Sequence, residues 1–190
     1  MYRTDIINHL ISKNQYKTYL EIGVHENHNF VEIKCQYKIG IDPNGKTSFT
    51  GTSDEFFDNN KLFFDIIFID GDHREEQVTP DILNSLKCLN KCGMIVLHDL
   101  LPPTEQHQTA EYNGGAWNGT VWKSLAKLRL SRPDLKLNVV NTDWGCGILR
   151  YGESELYQEG IGQELNFDFY LKHREKMFNV ITPDQFLQMF

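Results

Sequence analysis

The segment Phe63-Phe-Asp-Ile-Ile-Phe-Ile-Asp70 constrains the fold more than any other stretch of the chain. It is nearly continuous in aromatic and β-branched residues and broken only by Asp65. A strand of this kind has no face to offer to water. It is stable only where both faces are covered, as in a parallel sheet under helices. Gly93-Met-Ile-Val-Leu-His-Asp99 has the same buried character. Thr18-Tyr-Leu-Glu-Ile-Gly23 and Tyr37-Lys-Ile-Gly-Ile-Asp42 are shorter apolar runs, the second stopped by Pro43, and residues 48–51 read as a brief further strand.

Helical signals alternate with these strands. Ile6, Ile7, Leu10 and Ile11 form one face of a first helix that Thr4 could cap. A short helix fits residues 29–35. Thr79-Pro80 reads as an N-cap followed by a first-turn proline, with Ile82, Leu83, Leu86 and Leu89 as the apolar stripe. Val121, Trp122, Leu125 and Leu128 mark a helix that stops before Pro133. Residues 136–141 and 145–150 read as two final strands, a hairpin across 142–144. Thr182-Pro-Asp-Gln185 is a capping-box start for a terminal helix. Strand, helix, strand, helix specifies an α/β fold with a mostly parallel sheet.

A length of 190 residues fits one domain. The net charge of −7 lacks the electrostatic footprint of a nucleic-acid binder, so no nucleic-acid partner is expected. The longest apolar stretches are of strand length, so no membrane association is expected either. The first residues have no apolar core of signal-peptide length, which makes the cytoplasm the default compartment. Cys35, Cys88, Cys92 and Cys146 are too few and too scattered for a disulfide scaffold and read as free thiols in or near the core. The sequence is compatible with a homo-oligomer.

In open α/β sheets ligands bind beyond the carboxyl ends of the strands. The residues at those ends here are Glu21 and Gly23, Asp42, Thr52 and Ser53, Asp70, Asp72 and His73, and His98 and Asp99. Asp42 follows Gly23 by 19 residues. A glycine turn followed at that distance by an acid is the ribose-binding pattern. A full G-x-G-x-x-G is absent, since Val24-His-Glu-Asn-His-Asn follows Gly23, and there is no Gly-Lys-Ser/Thr P-loop. A single glycine suits a nucleoside without phosphates better than a dinucleotide.

Glu21-Ile-Gly23, Gly40-Ile-Asp42-Pro43, Phe64-Asp-Ile-Ile-Phe-Ile-Asp70-Gly-Asp72-His73 and Cys92-Gly93-Met-Ile-Val-Leu-His98-Asp99 together resemble the class I S-adenosylmethionine-dependent methyltransferases. The likeness runs over residues 18–100 and is strongest to the branch whose fourth strand ends in Ile-Asp-Gly-Asp-His. Gly115-Ala-Trp-Asn-Gly-Thr-Val-Trp122 and Asp143-Trp-Gly-Cys-Gly147 are similar to that branch too. The chain departs from the class in its glycine loop, where His25, Glu26 and Asn27 replace small residues.

The resemblance implies a Rossmann-like sheet of seven strands in the order 3-2-1-4-5-7-6, strand 7 antiparallel, with helices on both faces. It implies one methyltransferase domain over 1–190, with an N-terminal helix in 1–17, a cofactor-binding half in 18–100 and an acceptor-side half in 101–190. It implies S-adenosylmethionine as cofactor, with Glu21 and Gly23 bordering the methionine part, Asp42 on the ribose, Thr52 and Ser53 near the adenine, and Asp70 near the sulfonium and the acceptor. The implied reaction is O-methylation of a sugar, glycan precursor or small hydroxylated metabolite.

Asp70, Asp72, His73, His98 and Asp99 form a second constellation. Ends of neighbouring strands lie roughly 4.8 Å apart, so these side chains can converge. Related enzymes hold a divalent metal there, and Asp70, His98 and Asp99 would be its ligands (Mg²⁺, Mn²⁺ or another ion). The alternative is a metal-free centre in which Asp70 assists and His73 or His98 is the general base. Residues 102–120, rich in Pro, Gly and polar residues, suit a lid. Trp117 and Trp144 sit beside glycines and suit either substrate stacking or packing. Two other functions stay open at this level: a metal-dependent hydrolase or oxygenase using the Asp/His cluster, and a non-catalytic binding module on the same scaffold.

Overall fold

The computed structural model describes residues 1–45 and 47–190. Its centre is strand β4 (Phe64–Ile69), the segment that the sequence marks as buried on both sides. Ile66 and Phe68 enter one hydrophobic cluster, Ile67 and Ile69 the other. β4 pairs in parallel with β1 (Thr18–Ile22) on one side and β5 (Leu89–Leu97) on the other. β2 (Tyr37–Asp42) and the two-residue β3 (Phe49–Thr50) continue the sheet beyond β1. Beyond β5 come β7 (Cys146–Tyr151) and β6 (Leu135–Val140), which form the expected hairpin with Val140 opposite Cys146. β7 runs antiparallel to both its neighbours.

The order is β3-β2-β1-β4-β5-β7-β6-β8, eight strands where seven were expected. The additional one, β8 (Val180–Ile181), pairs with β6 in parallel. The Asn138 and Asn179 side chains lace this edge, donating to the carbonyls of Asn179 and Leu137. Two residues are too few to show a strand period, which is why the sequence pattern misses it.

Helices cover both faces. α1 (Arg3–Asn14) and α7 (Pro183–Met189) pack on the side of Phe68, α1 through Ile6, Ile7, Leu10 and Ile11 as its spacing predicts. α4 (Glu75–Lys87), α5 (Val121–Ser131) and α6 (Phe167–Met177) cover the side of Ile67. The short α2 (His28–Glu32) follows β1, and α3 (Ser53–Asn59) follows β3. Each fully buried Ile or Leu contributes about 1.5–3 kcal/mol, so both layers are needed to hold the sheet.

Four local expectations are corrected. Thr4 does not cap α1: Tyr2 holds the N-cap position and Thr4 lies in the first turn. α4 begins at Glu75, so Pro80 lies inside it rather than in its first turn. The true start is capped from outside the helix: the Thr120 hydroxyl accepts from the Glu75 N–H at 2.8 Å. Leu83 faces outward and Leu89 belongs to β5, leaving Val78, Ile82 and Leu86 as the buried stripe. Among the cysteines, Cys88 and Cys146 are buried and Cys35 half-buried, but Cys92 is exposed. Among the described residues no helix is long and apolar enough to cross a membrane.

Candidate active site

The strand order reverses at β1, between β2 and β4, and an open α/β sheet leaves a crevice at such a point. A cleft of about 800 Å³ lies there, within the range of small-molecule sites. Every candidate residue from the sequence lines it: Glu21, Gly23, Asp42, Thr52, Ser53, Asp70, His73, His98 and Asp99.

At the β1 end, Gly23 has φ +87°, and a Cβ placed on it would lie 2.2 Å from the Asp70 carbonyl oxygen. Only glycine lets the turns after β1 and β4 approach this closely. Glu21 is almost fully buried beneath that turn. It accepts hydrogen bonds from the Tyr19 hydroxyl and from the Asn29 amide, the latter at 3.0 Å. Burial outweighs those bonds and pushes its carboxyl up to about 7. Asp42 accepts from the backbone N–H of His25 and of Asn44, at 2.8 and 2.7 Å, and keeps lone pairs for a ligand. Thr52 is the N-cap of α3, and Ser53 donates to the buried Asp81 at 2.5 Å. Burial pushes Asp81 up to about 6.

At the other end six ionisable side chains meet. Asp70 closes β4, and His98 and Asp99 close β5. His73 comes from the turn before α4, Asp143 from the β6–β7 hairpin and Arg3 from the first turn of α1. His98 Nδ1 lies 2.9 Å from Asp99 and 3.4 Å from Asp70, and its Nε2 lies 3.5 Å from Asp143. Arg3 Nη1 is 2.6 Å from His98 Nε2 and 3.7 Å from Asp143, and Arg3 Nε is 3.9 Å from Asp70. The Asn118 amide donates to Asp99 at 2.7 Å. Burial alone would raise Asp70, but His98, His73 and Arg3 hold its carboxyl well below the usual range.

The two histidines differ. Burial disfavours charge on both, and the carboxylates around them outweigh it. His98, with three acids on it, is pushed up to about 12. A protonated ring has no lone pair, and in the neutral ring the Nε2 lone pair faces Arg3. In neither form does His98 offer an acceptor to the cleft. His73 Nδ1 lies 3.0 Å from the Trp117 carbonyl, which can only accept, so Nδ1 carries a proton. Its Nε2 is left facing Asp70 at 3.6 Å and the cleft. Trp117 stacks on the same ring, with centroids 5.0 Å apart. Trp144 is partly exposed on the cleft wall against His107.

Arg3 and Asp143 are the participants that sequence reasoning misses. Arg3 lies in a helix legible only by its apolar face, and Asp143 in a turn quoted for its likeness without a role. The conformational signal is that His25, Asp99, Asp143 and Trp144, all on the cleft, have positive φ without being glycine. Such positions cost about 1–3 kcal/mol each and gather at functional sites. Asp70, His73 and Asp99 on one side, and His98, Asp143 and Cys146 on the other, bring donors of the kind that metals take to within 4.8 Å of one another. The Arg3 guanidinium faces Asp70 of the first group and His98 and Asp143 of the second, so these donors are already engaged and the set does not fit a divalent ion.

Glu21 gives the site a stability signature. Its folded pKa of about 7 lies above the unfolded 4.5. The stability from its bound proton is therefore complete below the unfolded value and is lost as pH rises through 7. Glu21→Gln should remove that slope. Relative to wild type the variant should gain on the order of 3 kcal/mol between about pH 4 and pH 8, read by denaturant unfolding. A difference independent of pH would mean that Glu21 stays ionised.

Comparison with known proteins agrees with this architecture. Residues 15–100 match the family model described as a methyltransferase domain. No curated protein sequence matches the chain. Among solved structures, the O-methyltransferase from Bacillus cereus in complex with SAH superposes with a TM-score of 0.60 at 12% identity, covering 79% of this chain and 80% of that one. The SAH-bound methyltransferase from Podospora anserina gives 0.59 at 12% identity, with 80% and 78% covered. The O-methyltransferase TomG from Streptomyces achromogenes, involved in tomaymycin synthesis and complexed with SAM, gives 0.59 at 10%, with 78% and 79% covered. Residues 15–100 thus match a methyltransferase domain model, and the chain has the class I methyltransferase fold.

Proposed function

We propose that the protein is an S-adenosylmethionine-dependent O-methyltransferase acting on a small hydroxylated acceptor, such as a sugar, a glycan precursor or a hydroxylated metabolite. The observation that carries this reading is one cleft with three carboxylates at successive strand ends, Asp42, Glu21 and Asp70, beside the His73 imidazole, whose Nε2 lies 3.6 Å from Asp70. That donor set suits a long cation carrying vicinal hydroxyls. Asp42 accepts from the ribose hydroxyls, Glu21 and Gly23 border the methionine part, and Thr52 and Ser53 border the adenine. When bound, the cofactor supplies a methyl group on a cationic sulfur, and the sulfur keeps the electron pair of the bond that breaks.

The chain's own residues do the rest. Asp70 places negative charge where the sulfonium lies. His73 Nε2 takes the proton of the acceptor hydroxyl as the oxygen bonds to the methyl carbon. Asp70 and Asp99, 3.6 and 3.5 Å from the ring, stabilise the imidazolium that forms. The catalytic set from the sequence, Asp70, His73 and His98, is thus divided, with His73 as base and His98 holding the carboxylates. Residues 102–120 act as the lid over the acceptor. Their base is anchored by Thr120, whose N–H donates to the His73 carbonyl at 2.8 Å, Asn118 and Gly119 close the segment on itself by donating to the His107 carbonyl at 2.8 and 3.0 Å, and Gly114 and Gly115 have open space around them.

Calorimetry with S-adenosylmethionine and with its demethylated product tests the binding half. Both should bind, and Asp42→Ala should weaken them by about 1.5–3 kcal/mol, the scale of a hydrogen bond to a charged group. No binding at millimolar concentration ends the methyltransferase reading.

The base has its own pH signature. The carboxylates raise the His73 pKa above 6.5, so the ring must shed a proton before it can accept one. The rate should therefore climb on the alkaline side of the ordinary histidine range. Asp70→Asn should move that limb to lower pH, and His73→Ala should abolish it. A limb that persists in His73→Ala places the base elsewhere.

Hydrogen exchange reads the lid. Amides of residues 109–116 should exchange quickly in the free protein and slow when cofactor and acceptor are both present. Strong protection without ligands would make the segment a packed loop.

A further inference from the structure

We infer that Arg3 is the built-in cation of this centre, a positioning residue whose guanidinium stands where a divalent ion would have to sit. Three observations carry the inference. First, Arg3 reaches both metal-capable donor groups at once: Asp70 of one at 3.9 Å, and His98 and Asp143 of the other at 2.6 and 3.7 Å. A divalent ion binds its oxygen donors at about 2.0–2.6 Å and needs them free to turn toward it. Here Asp70 and Asp143 face a guanidinium.

Second, the backbone that carries Arg3 is held in place. The Arg3 backbone N–H donates to Asp143 at 2.8 Å, and the Thr142 hydroxyl donates to the Met1 carbonyl at 2.6 Å. The Thr4 hydroxyl donates to the Asn29 side chain at 2.7 Å, and Ile6 and Ile7 are fully buried under the sheet. These contacts fix the Arg3 backbone beside the centre, so its side chain needs only its own length to reach the carboxylates. Third, the carboxylates already have partners. Asp70 faces Arg3, His73 and His98, Asp99 accepts from the Asn118 amide and faces both histidines, and Asp143 accepts from the Arg3 backbone N–H. An added divalent ion would meet like charge with no unpaired carboxylate left to receive it. Helix α1, which lies outside the family match, is then part of the centre.

The inference depends on the methyl-transfer reading only for the reaction that the centre serves, so its test avoids turnover. The full chain is titrated with Mn²⁺ near neutral pH by calorimetry. Wild type should show no saturable uptake at about millimolar ion. Arg3→Gln, of similar length but uncharged, should gain one site at least about tenfold tighter than anything in wild type. Asp70→Asn added to Arg3→Gln should remove that site, and Arg3→Lys, which keeps a cation, should behave as wild type.

Saturable Mn²⁺ binding by wild type, or its equal absence from wild type and a folded Arg3→Gln, overturns the inference, as does an equal gain in Arg3→Lys. Circular dichroism and thermal melting establish that Arg3→Gln folds. If it does not, Arg3→Met takes its place, and the wild-type titration remains decisive in the negative. Calorimetry with the demethylated cofactor on the same samples keeps the two readings apart, since loss of cofactor binding would end the methyl-transfer reading and leave the Mn²⁺ result standing.

Discussion

Carboxylates cannot be gathered in a buried place without cations to meet them. The sheet order makes the gathering unavoidable: β4 and β5 are neighbours, β7 lies beside β5, and their ends bring Asp70, Asp99 and Asp143 around His98. An ionised carboxylate removed from water without a partner costs several kcal/mol. Opposite charges 4 Å apart recover about 4 kcal/mol at an effective dielectric constant of 20. The site therefore depends on Arg3 and two imidazoles reaching it from three separate elements, and much of the local backbone serves to bring them there.

That requirement accounts for the strained conformations. Asp99 has φ +63°, and Asp143 and Trp144 have +46° and +62° in succession. The hairpin turn could have used Asn-Gly chemistry at lower cost. It holds Asp143 instead, aimed at His98 and at the Arg3 backbone, with Gly145 completing the turn. The two apolar layers of the sheet supply the free energy that keeps these turns in unfavourable regions.

The fold was legible where physics acts locally. The double-sided burial of 63–70 required a covered sheet, and Thr182 with Gln185 capped α7 as their spacing predicts. Thr52 and Glu55 form the same box at α3, which the sequence reading passed over because it took Thr52 only as the end of a strand. Pro80 misled for a tertiary reason, since the hydroxyl that caps α4 lies 45 residues away. β8 was invisible because its partner across the sheet edge, rather than its own two residues, makes it a strand. In the site, residues at strand ends could be found because the fold class says where strand ends point. Arg3 and Asp143 are separated by 140 residues, and no spacing rule connects them.

The position of His73 gives the cleft a direction. A second recess of about 480 Å³ adjoins the first and is lined by Arg74, Glu111 and Tyr112, and the two share Gly71, Asp72, His73 and Trp117. His73 is therefore a wall of both spaces. Its ring is held by the Trp117 carbonyl on Nδ1 and by the indole stacked on its face, and its backbone by the Thr120 N–H donating to its carbonyl at 2.8 Å. Gly119 passes so close that a Cβ there would lie 2.1 Å from that same carbonyl oxygen. The base of the 102–120 segment and the imidazole are consequently packed directly against each other. In the proposed reaction, an acceptor that orders this segment also sets the angle at which Nε2 meets its hydroxyl, so closure and proton transfer draw on the same contacts.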